Sequence, residues 1–202
     1  MNFFGLIKKT LISILEFFRY KKSYSQDGED VVLQSFFEEQ KNYKGIYVDI
    51  GAHHPMRFSN TCFFYKRGWK GINIDPTPGS MRPFRYLRSR DINLELGIGK
   101  SSGELTFYCF NDPALNTFDK KLADNRNKGR YYIKKTIIAK IEPLSEILKK
   151  YLPKETKIDF FTIDVEGLDL EVLYSNDWDM YTPQYILVED IDFDFNEPVK
   201  SE

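Results

Sequence analysis

Cysteine, histidine and net charge are all scarce in this chain. Its 202 residues hold two cysteines, Cys62 and Cys109, and two histidines, and 29 Lys plus Arg face 30 Asp plus Glu for a formal charge of −1. Two cysteines without a CxxC spacing supply neither a disulfide frame nor a structural zinc set, which predicts a reducing, cytoplasmic setting. Without an excess of positive charge there is no electrostatic footprint for nucleic acid. The uncharged run from Thr10 to Leu15 is far shorter than the ~20 residues that cross a bilayer, and no small-residue cleavage site follows it. Internal repeats and low-complexity linkers are also missing. What is present is a globular composition, 42% hydrophobic and 16% aromatic, in a chain long enough for one domain or one domain plus an appendage.

The appendage is residues 1–22. "NFFGLIKKTLISILEFFRYKK" mixes Phe, Leu and Ile with Lys8, Lys9, Glu16, Arg19, Lys21 and Lys22, a pattern for an amphipathic helix. Two destinations suit its apolar face. One is packing on its own domain or on a second copy in a homo-oligomer; the other is the surface of a membrane, with basic flanks on the headgroups.

From residue 23 onward strand and helix signals alternate, which predicts an α/β fold with a mostly parallel sheet. Ser25 precedes the helical "DGEDVVLQSFFEEQ", and "GIYVDI" reads as the first strand. Ser59 precedes "NTCFFYKRG", where Gly68 fits a left-handed terminator. "GINID" and "INLELGIG" are the second and third strands, separated by the basic helix "MRPFRYLRSR", whose arginines belong on a solvent face. "ELTFYCF" is an extra strand or hairpin, and residues 111–130 form a long loop with short helical pieces. "TIIAKI", "IDFFTID" and "QYILVED" complete the strands, with helices at "PLSEILKKYL" and "LDLEVLYSN". Trp69 and Trp178 read as core residues.

Three strands end in an acidic residue at a βα turn: Asp49, Asp75 and Asp164. Ligands of open α/β sheets bind beyond the carboxyl ends of the strands, where the strand order reverses. Asp75, 26 positions after Asp49, stands where a carboxylate accepts both hydroxyls of a ribose. Gly51 permits a tight turn and a close backbone approach. The dinucleotide fingerprint G-x-G-x-x-G is not met, because "GAHHP" fills the later glycine positions with His53, His54 and Pro55. A nicotinamide oxidoreductase is therefore disfavoured, and a ligand with a ribose but no pyrophosphate, such as S-adenosylmethionine, fits better.

Several separate stretches, in order, resemble the FkbM family of S-adenosylmethionine-dependent methyltransferases over roughly residues 24–190. They are "YSQDGED" at 24–30, "VDIGAHHP" at 48–55, "SNT" at 59–61, "RGWKGINIDPTPGSM" at 67–81, "NTF" at 116–118 and "IDFFTIDVEGLDLEVL" at 158–173. The resemblance implies a class I methyltransferase domain over 23–202, with a Rossmann-like sheet flanked by helices on both faces. It also implies methyl transfer to a hydroxyl oxygen of a small-molecule or glycan acceptor: a sugar, a glycolipid or another secondary metabolite. After "ILVED" little chain remains, so the last two strands of such a sheet are expected to be missing. A non-catalytic binding or assembly module on the same fold is the alternative.

On this reading Gln26, Asp49, Gly51, Ala52, Asp75, Gly97 and Ile98 contact the cofactor. Candidate bases for the acceptor hydroxyl are His54, His53, Asp164 and Glu166. Histidine titrates near 6.5 unaided, whereas a carboxylate needs burial to approach that range. His54 is narrowly preferred to His53, against the plain alternative of a loop-capping role beside Pro55. The D-V-E spacing turns Asp164 and Glu166 toward the cleft mouth. A divalent-ion site built from Asp164, Glu189, Asp190 and Asp192 is a lesser reading, with no tight ligand spacing behind it; the acidic run "EDIDFDF" better suits a solvated edge.

Overall fold

Short apolar runs enclosed by helices have to hide both of their faces, and a parallel sheet does this. The computed structural model describes residues 22–40 and 42–189. Five strands, β1 (Ile46–Ile50), β2 (Lys70–Ile74), β3 (Ile92–Leu94), β7 (Phe160–Ile163) and β8 (Tyr185–Val188), form a wholly parallel sheet in the order β3-β2-β1-β7-β8. The order runs outward from β1 to β3, then restarts at β7 on the other side of β1. The crevice of such a fold therefore opens over the carboxyl ends of β1 and β7. This is the α/β Rossmann-like sheet expected of a class I methyltransferase; strands beyond β8 would fall in residues 190–202, outside the described residues.

Alternation along the strands divides the core in two. Val48, Ile50, Ile72, Ile74, Phe161 and Ile163 face an aliphatic layer containing Leu144, Ile147 and Leu148 of α5 (Leu144–Tyr151). Tyr47 and Phe160 face an aromatic layer with Phe64 of α2 (Cys62–Lys66), Trp69, and Leu33 and Phe37 from α1 (Glu29–Phe36) and its end. Phe37 meets Trp69 edge-on with ring centres 5.0 Å apart, and Phe64 lies 4.9 Å from Phe160. Burial of each such side chain contributes roughly 1.5–3 kcal/mol. Helix α3 (Met81–Leu87) places Met81 and Phe84 under Ala52.

A second sheet departs from the expected pattern. The stretch read as one third strand breaks at Glu95–Leu96 into β3 and β4 (Gly97–Ile98). The latter pairs in parallel with β6 (Ile133–Glu142), itself antiparallel to β5 (Gly103–Phe110). Gly97 permits the crossing, since a Cβ there would lie 2.6 Å from the Phe118 ring. "TIIAKI" therefore belongs to this small sheet and not to the parallel one. The 111–130 loop does hold two short helical pieces, a 3-10 turn at Pro113–Leu115 and α4 (Lys120–Arg126).

Other boundaries moved for local reasons. Helix α1 begins at Glu29, after a left-handed Gly28, and Ser25 Oγ instead accepts the Gly28 and Asp30 backbone N–H groups. Gly68 closes α2 at φ +94° as expected. Helix α6 spans Asp169–Tyr174. Trp69 is core, but Trp178 is 36% exposed and covers the α6 end through a hydrogen bond from Nε1 to the Leu173 carbonyl. Residues 1–21 lie outside the described residues, and with them most of the amphipathic segment.

Candidate active site

The loop after β1 is held by contacts that single-sequence patterns do not show. Gly51, at φ +84°, sits so close to β7 that a Cβ would fall 1.7 Å from the Asp164 carbonyl oxygen. The Gly51 and Ala52 N–H groups both donate to the Ile74 carbonyl, at 2.9 and 3.0 Å, which ties the turn to β2. His53 and Phe58 then adopt φ of +46° and +53°, a conformation costly for residues with a Cβ. Arg88, read from the sequence as a solvent-facing arginine, is instead 1% exposed and holds this loop in place. Its Nε and Nη2 both donate to the Pro55 carbonyl, at 3.0 and 2.9 Å; Nη2 also reaches Ser59 Oγ at 3.0 Å, and Nη1 reaches the Tyr47 hydroxyl at 2.9 Å. Asp91 balances its charge at 3.6 Å. A buried guanidinium whose donors are this well occupied is unlike a surface charge in every respect that matters energetically.

Above the strand ends lies a cavity of about 280 Å³. Asp75, 6% exposed, contributes to its wall from the end of β2. One carboxylate oxygen accepts the Thr77 N–H at 2.7 Å and the other the His53 N–H at 3.0 Å. Each oxygen keeps a further lone pair, so a ribose diol could still be accepted bidentately. Burial raises the Asp75 pKa, against the N–H groups that favour its charge. Gly97 and Ile98 of β4 line the apolar side with Leu96, Phe107 and Phe118. Gln26 lines the opposite lip, in a segment tied down by Asp30, whose buried carboxylate accepts from Ser23 Oγ, the Tyr24 N–H and Ser25 Oγ at 2.7 to 2.9 Å.

Three proposed contacts do not reach the cavity. Ala52 is turned into the core against Met81 and Phe84. Asp49 shares the Tyr47 side of β1, where its carboxylate accepts the Thr61 hydroxyl at 2.6 Å; burial raises its pKa to about 6. It shapes the loop from below. His54, the favoured base, is corrected too: its Nδ1 accepts the Met56 and Arg57 N–H groups at 3.1 and 3.0 Å, so this lone pair closes the turn. His53 is the histidine that lines the cavity, its ring stacked on Phe58 with centres 6.2 Å apart. Burial lowers the pKa of His53, and Asp75 only partly offsets it.

The acidic side of the cavity lies at the ends of β7 and β8. Carboxylate oxygens of Asp164, Glu166 and Glu189 all lie within 4.8 Å of one another, close enough for one hard cation. Asp190 and Asp192 lie outside the described residues. Asp164 opens onto the cavity but is packed among protein atoms behind; this desolvation first, then Glu189, Glu166 and Asp169, raises its pKa to about 8. Glu166, at φ +57°, is off the strand, so loop geometry and not strand alternation aims it; Arg126 pairs with it. Asp169 at the start of α6 accepts the Val165 and Gly167 N–H groups and fixes the turn.

Sequence reasoning missed the clasp that joins the second sheet to this site. Asn116 donates to Thr77 Oγ1 at 3.0 Å, and Thr117 Oγ1 donates to the Glu166 carbonyl at 2.7 Å. Both lie in "NTF", a stretch flagged by resemblance whose residues were given no role. Asn60, from "SNT", lines the cavity and donates to Thr162 Oγ1 at 2.9 Å.

A parallel sheet reversing at β1/β7, with a carboxylate after β2 and a cavity above the reversal, defines a Rossmann-like methyltransferase domain. The family model for the methyltransferase FkbM domain matches residues 49–199, and the chain belongs to that family. No curated protein and no solved structure matches it significantly. Among the described residues no helix is long and apolar enough to cross a membrane.

Proposed function

We propose that this methyltransferase uses S-adenosylmethionine and methylates a hydroxyl oxygen on a small-molecule or glycan acceptor. The observation that carries the reading is Asp75, buried at the end of β2, lining the cavity and still holding free lone pairs opposite the apolar Gly97–Ile98 wall. Asp75 would take the ribose hydroxyls, Gly97 and Ile98 the adenine, and Gln26 the far side. When bound, the cofactor supplies a methyl group on a positively charged sulfur.

The chain's own work is positioning and proton removal, and positioning supplies most of the acceleration in a displacement of this kind. Gly51 and the Arg88 clasp hold the β1 loop against β7, so that His53 and Asp164 face one cavity. A hydroxyl there loses its proton as the new bond forms, and the acceptor of that proton is Asp164 or His53. Asp164 is the better placed, because its raised pKa brings a carboxylate into the working range of a general base. Two buried, free cysteines, Cys62 and Cys109, suit a cytoplasmic enzyme. Association with a membrane surface or a second copy through residues 1–22 belongs to the same proposal.

Isothermal titration with S-adenosylmethionine tests the reading. Wild-type protein binds, and Asp75→Ala weakens binding by about 1.5–3 kcal/mol, the scale of charge-assisted hydrogen bonds. Unchanged affinity in a folded Asp75→Ala protein would remove the ribose assignment.

A further inference from the structure

The cavity is polarised end to end. Ile98, Leu96, Phe107 and Phe118 form an apolar wall, whereas the rest of the rim is acidic. Asp27 and Glu29 stand on the N-terminal lip, Asp75 follows β2, and Asp164, Glu166 and Glu189 gather beyond β7 and β8. No lysine or arginine lines the cavity among the described residues. The nearest cations are already engaged: Arg126 with Glu166, and Arg57 over the Phe58 ring at 4.5 Å. Carboxylates contributed by four separate parts of the chain are thus held around one space. Glu29 on the lip acts on Glu189 across it, as do Asp169 and Arg126 from behind. Mutual repulsion of this kind is relieved by a positive ligand and aggravated by a negative one.

We infer that this cavity selects its ligands by charge. It prefers the donor as a sulfonium cation over its uncharged, demethylated product, and it admits neutral or cationic acceptors while refusing those that carry a phosphate or carboxylate. The inference rests on the S-adenosylmethionine reading above and goes further, to the acceptor's chemical class. It also gives the site a means of releasing spent cofactor, because the product has lost the charge that the acidic wall holds.

The test is titration calorimetry on the full chain in chelator and low salt at about pH 9, where the raised carboxylates are ionised. The probes are S-adenosylmethionine, S-adenosylhomocysteine and adenosine 5′-monophosphate. The donor is expected to bind about tenfold more tightly than the thioether product. The gap should narrow at about 0.5 M salt, in Asp164→Asn or, if that variant fails to fold, in Glu189→Gln. The nucleotide, which places a phosphate on the same adenosine, should be the weakest of the three. Product binding as tight as donor binding, or nucleotide binding equal to product, overturns the charge selection and leaves the cofactor reading standing. A gap that appears only when magnesium replaces chelator overturns it in favour of a metal. Failure of the donor and product alike to bind overturns the cofactor reading itself, and the inference with it.

Discussion

His54 offers its Nδ1 to two backbone N–H groups of its own turn, while the neighbouring His53 offers its ring to the cavity. Removing the His54 imidazole should therefore cost about 1 kcal/mol of stability and leave turnover at saturating substrate near the wild-type value. The pH profile then separates the remaining bases. A base works when deprotonated, so activity rises through its pKa. Burial lowers His53, which predicts a rising limb below the usual histidine range; Asp164 predicts a limb near pH 8. We expect the limb near 8 and its disappearance in Asp164→Asn. A limb below 6.5 that is lost in His53→Ala instead would transfer the role.

Asp49 shows why residue type alone misleads. An acid next to the turn glycine reads as a ligand contact, yet alternation along β1 puts it beside Tyr47, on Thr61. Its folded pKa of about 6 lies above the model value of 3.8, so ionisation opposes folding: the benefit is complete below about pH 4 and lost as pH rises through 6. Asp49→Asn should thus raise the unfolding free energy by about 2 kcal/mol at neutral pH. The difference should vanish in thermal melts run below pH 4, and cofactor affinity should stay constant. Weaker cofactor binding would return Asp49 to the site.

At the scale of elements, periodicity and turn residues were enough to recover the five parallel strands, α5 and the Gly68 terminator. They failed where a contact is remote in sequence. Nothing near Arg88 announces that its guanidinium is buried under Pro55, and nothing in "INLELGIG" says that Glu95–Leu96 leaves one sheet for another. Asp75, Gly97 and Ile98 were legible because they stand at strand ends, whose fate in an α/β sheet follows from topology. The side chains after Gly51 were not, because a left-handed turn destroys the alternation by which strand residues are assigned. Gly51→Ala tests how tightly that turn is built. Left-handed backbone and a Cβ 1.7 Å from the Asp164 carbonyl should together cost about 2–4 kcal/mol. The variant should melt markedly lower than wild type; an unchanged melting temperature would mean that β1 and β7 are not locked at this point.

In the whole molecule the cavity is a seam. Its ribose-side wall belongs to the parallel sheet, its apolar wall to the β4-β6-β5 sheet, and the stitches between them are two side-chain bonds, Asn116 to Thr77 and Thr117 to Glu166. A ligand lying in a seam touches both sides, so its binding energy is shared by any opening that separates them. Amides of β5 and β6 should therefore exchange with solvent faster than those of β1 and β7 in the free protein, and slow down selectively when S-adenosylmethionine is added. Equal protection of both sheets in the free protein, unaltered by cofactor, would show a single cooperative unit. If the seam does open, the small sheet becomes the door by which ligands enter and leave, and the pace of product release is set by how often two hydrogen bonds let go.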